Sequence, residues 1–575
     1  MLKFLRVKTD IKSIIDEKVE EKYSLLGGRG LIASILNDEI DPTCHALGPG
    51  NKLIICGGLL NGTPAPASGR LSVGGKSPLT GTIKEANAGG IAAKMLAKLG
   101  IKAIIVENQP ADKTWFILRV CKNKAELLPA DKYLGLNNYA LTKQLREDFG
   151  EKTGIISIGR AGEYGYRNSS VQVTDMDGYP TRAAGRGGLG AVMGSKGLKA
   201  IVLDPAGNVE AEYADKENFM AANKNFIKAV LENPTTGKVM PALGTASLVN
   251  ICNVMGWLPT HNYSDGRWDK AENISAERMV EIQSTRGGSQ GHACHPGCVI
   301  RCSNIYNDET GEHLTSALEY ETISLNGSNC GIASLDTIAR IDRMCDDFGL
   351  DTMETGCTIA VCMEAGKIPF GDEAGAISLI QEMIDGTEFG KLLGQGTEVT
   401  GKKLGVKRIP TVKGQSMAGY DPRALKGTGV TYATSPMGAD HTAGNAPTRN
   451  MSKESYDKEG KVELSTKMQV LFALFDCLGL CIFAAACTAD PKNLAFLCEM
   501  MAAKFGGEWD ANRIMGLGQQ TVALEKKFNQ AAGFTDKDDK LPDFMYTETL
   551  PSTGTVFDIA DEELRKAIPF GALNQ

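Results

Sequence analysis

The stretch Arg182-Ala-Ala-Gly-Arg-Gly-Gly-Leu-Gly-Ala-Val-Met-Gly-Ser-Lys196 passes through Gly197 into the apolar run Leu198–Leu203. A glycine-rich track feeding such a run predicts a strand beside a loop where backbone can approach something closely. The same alternation continues upstream. Lys52–Cys56, Ile101–Val106 and Ile155–Ile158 read as strands, and Asn61–Gly90 is a Gly/Pro/Ser/Thr-rich track with no helical period. Downstream the character changes near Glu210. Phe219, Met220, Asn223, Phe226, Ile227, Val230 and Leu231 fall at helical spacing. Most of 209–405 continues as amphipathic helices, and 406–575 mixes helices with glycine-rich loops at 414–445. The expectation is a mixed α+β chain, with a β-rich N-terminal domain (1–208) followed by two largely α-helical domains (209–405 and 406–575). No repeat of the solenoid kind is visible.

The totals narrow the function. The chain has 575 residues and 66 glycines, a share well above the average of about 7%. Clustered glycine suits a large flat cofactor. A net charge of -7 argues against nucleic acid, which a basic stripe would hold. Fifteen cysteines in a long chain do not read as a disulfide framework, and Met1–Asp10 is not a secretory signal. The reading is a reduced, cytoplasmic protein. Met468–Cys487 approaches the ~20 apolar residues of a membrane span. With Asp476 inside it and Gly479 close behind, it reads instead as two short buried elements joined at Asp476–Cys481, and no membrane span is expected.

One segment carries metal chemistry: His292-Ala-Cys294-His295-Pro-Gly-Cys298-Val-Ile-Arg-Cys302. On a straight helix the outer thiols would stand about 12 Å apart, too far for one compact cluster. Pro296-Gly297 breaks that helix and lets the chain curl. Three cysteines in nine residues favour an iron–sulfur cluster over zinc with His292 or His295, or over three buried structural thiols. Such a cluster usually takes four thiolates, so one comes from elsewhere.

Two further segments share a pattern. Asp346-Asp347-Phe348-Gly349-Leu350-Asp351 and Asp476-Cys477-Leu478-Gly479-Leu480-Cys481 each follow an apolar helical run, with Gly where a helix C-cap falls. Their carboxylates can accept hydrogen bonds from N–H groups. Two near-identical loops suit two similar halves of one ligand, whereas one alone would read as an ordinary capped helix. Cys481, at the end of the second, is the expected fourth thiolate beside Cys294, Cys298 and Cys302.

These paired motifs resemble those of the tungsten-containing aldehyde ferredoxin oxidoreductases. So do Gly69-Arg70, Lys76-Ser-Pro-Leu-Thr-Gly81, Asn87-Ala-Gly-Gly90 and the Arg182–Lys196 track, in order over nearly the whole chain. The resemblance implies a tungsten or molybdenum ion held by the dithiolenes of two pterins, one 4Fe-4S cluster, and a magnesium ion bridging the pterin phosphates. It implies that Asn87 and the carbonyl of Ala183 contact magnesium, and that Arg70 and Arg182 neutralise phosphate. Gly89 and Gly185 would admit close backbone approach. Asp346, Leu350 and Asp351 would grip one pterin, and Asp476 and Leu480 the other. The family's cluster spacing would put its first cysteine at Gly291, so Cys302 stands in downstream. No E-x-x-H motif is present for a subunit-bridging metal. Met437 and Ala443 occupy places where some relatives carry basic residues.

The implied reaction is aldehyde plus water to carboxylic acid. Glu321, in Leu318-Glu-Tyr-Glu321, would be the general base. His441, in Gly438-Ala-Asp-His-Thr442, would hydrogen-bond the carbonyl oxygen, with Asp440 beside it. Electrons would leave to ferredoxin or a ferredoxin-like subunit, in a homo- or hetero-oligomer. Two other readings keep the fold: a reductase subunit acting on an activated acid or aromatic thioester, and a non-catalytic electron-transfer subunit.

Overall fold

The computed structural model describes residues 2–447 and 452–568. The N-terminal part is built from two six-stranded sheets. The first comprises Lys3–Lys8 (β1), Ser13–Lys18 (β2), Leu53–Gly57 (β3), Leu71–Lys76 (β4), Ile83–Ala88 (β5) and Ile101–Glu107 (β6), in the order β2-β1-β6-β3-β4-β5. The second comprises Phe116–Cys121 (β7), Lys124–Pro129 (β8), Gly154–Ser157 (β9), Val171–Val173 (β10), Arg182–Ala184 (β11) and Leu198–Leu203 (β12), in the order β8-β7-β12-β9-β10-β11.

The two orders are one order used twice. In each sheet a hairpin leads, its first strand pairs in parallel with the last strand, and the third strand runs antiparallel to that last one. Each hairpin is followed by a 3-10 turn ending in a tyrosine and then by a helix, Gly28–Glu39 or Asn138–Phe149. Tyr23 donates to Asp38 on the first helix, and Tyr133 to Asp148 on the second, both at 2.7 Å. The central strands bury both faces and read as continuous apolar runs such as Leu53-Ile-Ile-Cys56. The edge strands β5 and β11 touch, which brings equivalent edges of the two sheets together.

The rest is mainly helical, in keeping with the mixed α+β expectation. Lys216–Glu232 is a helix, as its periodicity predicts, capped by Asp215. A three-stranded sheet is set into this helical region: Ser289–His292 (β13), Ser303–Asn307 (β14) and His313–Ser316 (β15). Met468–Cys487 is two elements joined within Asp476–Cys481, as expected, the second being the 3-10 turns Ile482–Ala489, but the first is longer than the expectation. One helix, Lys461–Leu478, carries Asp476 in its last turn, and Gly479 ends it at φ 74°. Among the described residues no helix is long and apolar enough to cross a membrane.

Candidate active site

The two Asp-x-x-Gly-Leu loops are C-caps. The helix Leu335–Phe348 ends at Gly349 (φ 87°) and Lys461–Leu478 at Gly479, so both glycines take the left-handed geometry that non-glycine residues resist. Each loop docks on its own sheet. The Leu59 and Leu60 N–H groups, just past β3, donate to the Cys477 and Leu478 carbonyls at 3.0 and 2.9 Å. The Ser170 N–H donates to Gly349 O, and the Asp351 N–H to Asn168 O, beside β10. The N-terminal turns of the helices Gly28–Glu39 and Asn138–Phe149 close over the loops. Arg29 Nη1 lies 3.4 Å from Asp476 Oδ2, and Asn138 Nδ2 donates to Asp346 O at 2.9 Å.

Asp346 and Asp476 are buried, and burial pushes both carboxyls well above their ordinary range. Asp351 caps the helix Thr352–Glu364 through the Met353 N–H and pairs with Arg186 at 3.2 Å. Leu350 and Leu480 are buried under the two caps.

The cysteine segment lies between β13 and β14 and curls, with Gly297 at φ 90° and the Cys298 N–H donating to His295 O. Cys294, Cys298, Cys302 and Cys481 are each 8% exposed and belong to one buried apolar cluster. The chain around Ala67 ties them: its N–H donates to Gly297 O and its carbonyl accepts the Cys481 N–H at 2.9 Å. The ligand atoms of Cys294, His295 and Cys298 lie within 4.8 Å of one another, with Cys302 and Cys481 outside that triplet. Burial pushes the Cys481 thiol up to about 11 while Arg70 pulls it down. Burial, with Arg70 and Arg182 nearby, pushes His295 down to about 4, so its ring is neutral near pH 7. His292 points away, to Asp177 at 3.0 Å and Arg182 at 3.3 Å.

Between loops and cysteines lies a basic strip. Arg70 donates through Nε to Asn87 Oδ1 and through Nη2 to Asn87 O. Asn87 sits on β5 and Ala183 on β11, the two edge strands in contact. Arg182 Nη1 donates to Ser303 Oγ at 2.8 Å, while its buried Nε has no partner. Gly89 admits the cysteine loop: a Cβ there would stand 3.1 Å from Cys294 O. At Gly185 a Cβ would meet nothing closer than 3.8 Å.

Glu321 is in the first turn of the helix Tyr320–Asn326, and His441 opens the turn His441–Ala443. Glu321 Oε1 stands 3.4 Å from His441 Nε2, and Oε2 accepts the Gly419 N–H at 2.6 Å. The two side chains are 14% and 17% exposed, and Glu321 Oε1 and His441 Nδ1 have no hydrogen-bond partner. Tyr420 and Tyr432 flank them: the Tyr420 ring is 6.2 Å from the imidazole, and the Tyr432 hydroxyl is buried without a partner. The neighbouring Glu319 is taken up by the Thr245 hydroxyl. Met437 is buried and receives the Glu85 N–H on its sulfur, and Ala443 is fully buried.

Three charged residues escaped the motif reading. Lys84 donates to Asp440 Oδ2 at 2.6 Å; Arg186 reaches Ala439, Ser416 and Asp351; Arg29 forms a bidentate pair with Glu525 at 2.7 and 2.8 Å. Their signal is a cation embedded in a glycine-rich or apolar run, which buries only when paired.

The chain is similar to known proteins over most of its length. A family model described as the N-terminal domain of aldehyde ferredoxin oxidoreductase matches residues 4–205, and one for its domains 2 and 3 matches 221–569. The tungsten-containing aldehyde ferredoxin oxidoreductase of Pyrococcus furiosus is 33% identical over 96% of this chain and 92% of its own. That of Thermococcus kodakarensis is 32% identical over the same shares. The WOR-like subunit of an aliphatic sulfonate oxidoreductase from Pyrococcus furiosus is 26% identical over 75% of this chain and 72% of its own. Among solved structures, the active-site complex BamBC of benzoyl coenzyme A reductase with 1,5-dienoyl-CoA superposes at a TM-score of 0.80. It is 20% identical over 98% of this chain and 92% of that one, a likeness of fold.

Proposed function

Because the chain belongs to the aldehyde ferredoxin oxidoreductase family, we propose that it oxidises an aldehyde and water to a carboxylic acid, two protons and two electrons. The observation that carries this reading is the Glu321–His441 pair. An acceptor and an imidazole face each other at 3.4 Å, each with one buried atom unbonded to protein. That is the arrangement an oxygen nucleophile and a carbonyl would complete.

The residues fit the cofactors the family implies. Asp346 and Asp476 are buried carboxyls, each with a long side-chain donor at 3.4 Å, and pterin N–H groups are donors. Arg70 and Arg182, with an unbonded Nε on the latter, suit phosphate. Asn87 and the Ala183 carbonyl, on touching edge strands, would be oxygen ligands suited to a magnesium ion. Cys294, Cys298, Cys302 and Cys481 suit a 4Fe-4S cluster, which takes one thiolate at each iron and so spreads its ligands wider than a single ion does. When bound, the metallopterin supplies the two-electron acceptor and the cluster a one-electron exit.

The chain's own part follows from geometry. Gly419 fixes one oxygen of Glu321, leaving Oε1 to take the proton from water as the new C–O bond forms, or from a hydroxyl of the preformed hydrate as its C–H bond breaks. His441, on the other side, donates to the carbonyl oxygen. Burial limits competing water. The electrons would pass to ferredoxin or a ferredoxin-like partner. All fifteen cysteines are free, which supports a reducing, cytoplasmic setting.

The test is metal analysis with an aldehyde-driven dye-reduction assay. Expected are one tungsten or molybdenum and about four irons per chain, turnover with aldehyde, and a roughly 10²–10⁴-fold loss in Glu321→Gln at unchanged metal content. A metal-replete protein that reduces no dye with any aldehyde would overturn the reading.

A further inference from the structure

Asp440 precedes His441 and is nearly buried, yet it does not serve the imidazole. Its Oδ1 accepts the Thr442 N–H at 3.0 Å and the Thr442 hydroxyl at 2.8 Å, which ties the turn His441–Ala443 together. Its Oδ2 takes the Lys84 ammonium at 2.6 Å, and His441 Nδ1 is left 3.8 Å from Oδ1. Lys84 is wholly buried and lies on β5, three residues before Asn87. Its stem is fixed by Gly187, where a Cβ would stand 2.5 Å from Lys84 Cγ. Arg186, next to that glycine, donates to Ala439 O at 2.8 Å and to Ser416 O at 2.7 Å, and pairs with Asp351.

We propose that Lys84 is a positioning residue: acting through Asp440, and braced by Arg186, it ties the His441 turn to β5 and so sets the imidazole against Glu321. The inference rests on the reading of Glu321 and His441 given above. A buried ammonium with one carboxylate partner has no comparable alternative, so the pair is a fixed strut rather than a surface contact. Although burial opposes it, Lys84, Arg186 and His441 hold the Asp440 carboxyl far below the usual range. Asp440 is therefore a permanent anion whose charge Lys84 and Arg186 claim ahead of His441. Among the described residues, the charged and titratable groups around the imidazole are Glu321 from the helix Tyr320–Asn326, Tyr420, Tyr432 from the helix Lys426–Thr434, and Asp440 with Lys84 and Arg186 behind it.

Two variants of the holoenzyme test this. K84M/D440N buries no unpaired charge and keeps an amide oxygen to cap Thr442, so only the tether is lost. Expected are a kcat lowered roughly ten- to hundredfold with KM changed by less than about twofold, wild-type iron and heavy-metal content, and faster C2-hydrogen exchange at His441 by mass spectrometry, with His261 and His313 unchanged. K84M alone leaves the buried Asp440 carboxylate without its ammonium partner, so the turn should loosen and C2-hydrogen exchange at His441 should again be faster than in the wild type. Wild-type kcat and wild-type His441 exchange in the double variant would overturn the proposal, as would a kcat loss that only tracks lost metal. If the unmutated enzyme oxidises no aldehyde, the functional reading fails, and His441 exchange in the two variants still decides the tether.

Discussion

Gly58 and Gly159 do the same work in the two sheets. Each follows the third strand of its sheet and receives the end of a helix that carries one of the two Asp-x-x-Gly-Leu loops. A Cβ on Gly58 would stand 2.0 Å from the Gly479 nitrogen, and one on Gly159 would stand 2.1 Å from the Phe348 carbonyl oxygen. The opposing atoms are backbone, which cannot swing aside. Gly58→Ala and Gly159→Ala are each expected to destabilise by about 3 kcal/mol, the upper end for overpacking. Each should also lower heavy-metal content. Denaturant midpoints and metal analysis check this, and wild-type values for both would show that the loops can dock elsewhere.

Cys481 and Cys487 are both buried in the same apolar cluster, but only Cys481 has its N–H tied to Ala67 beside the cysteine loop. Cys481→Ala should cost most of the iron, and Cys302→Ala likewise. Cys487→Ala should keep it, because its thiol donates to Ala484 O within its own turn. Iron content with low-temperature EPR of the reduced protein distinguishes them.

The Arg29–Glu525 pair is buried, with side chains 0% and 2% exposed. Arg29→Met strands the Glu525 charge and should cost about 3–5 kcal/mol, whereas Arg29→Met with Glu525→Leu should cost less. Thermal unfolding of the two variants gives the comparison. Equal losses would mean that the guanidinium acts mainly on Asp476.

Acid should stabilise the cofactor-free protein over one window. Burial raises Asp342 to about 7 and lifts Asp346 and Asp476 well above their ordinary values. Unfolded aspartates titrate near ~3.9, so between about pH 7 and 4 the folded state binds more protons, and unfolding free energy rises as pH falls. His295, held down to about 4, takes up its proton more readily unfolded and offsets part of this gain between about pH 6.5 and 4, and Asp440, whose carboxyl is depressed, loses its contribution only below about pH 4. Urea midpoints at pH 7.5 and 5.5 should therefore increase on acidification in apoprotein. The increase should be smaller with cofactor bound, because N–H donors favour the ionised carboxylates.

Much of the site was legible because it is local chemistry. Pro296-Gly297 between cysteines requires a curl, and Gly349 and Gly479 after apolar helical runs require left-handed caps; both are set by neighbouring residues. The sequence by itself thus determined the strand-then-helix order, the cysteine loop and the two capped loops. The duplicated sheet was not legible. Its two copies share scattered signals, the Tyr23–Asp38 and Tyr133–Asp148 bonds with a lysine beside each tyrosine and the glycines Gly58 and Gly159, while strand order depends on pairings between distant segments. Likewise, Met468–Cys487 has a break where the sequence suggests one, but Asp476 lies inside the helix, which runs on to its cap at Gly479, and Arg29 from the first sheet's helix reaches it. Only the tertiary structure decided which carboxylate meets which cation. A motif sets residue type and spacing along the chain, but Lys84 and Asp440, like Glu321 and His441, meet through packing of elements far apart in sequence, where burial leaves a charge one partner.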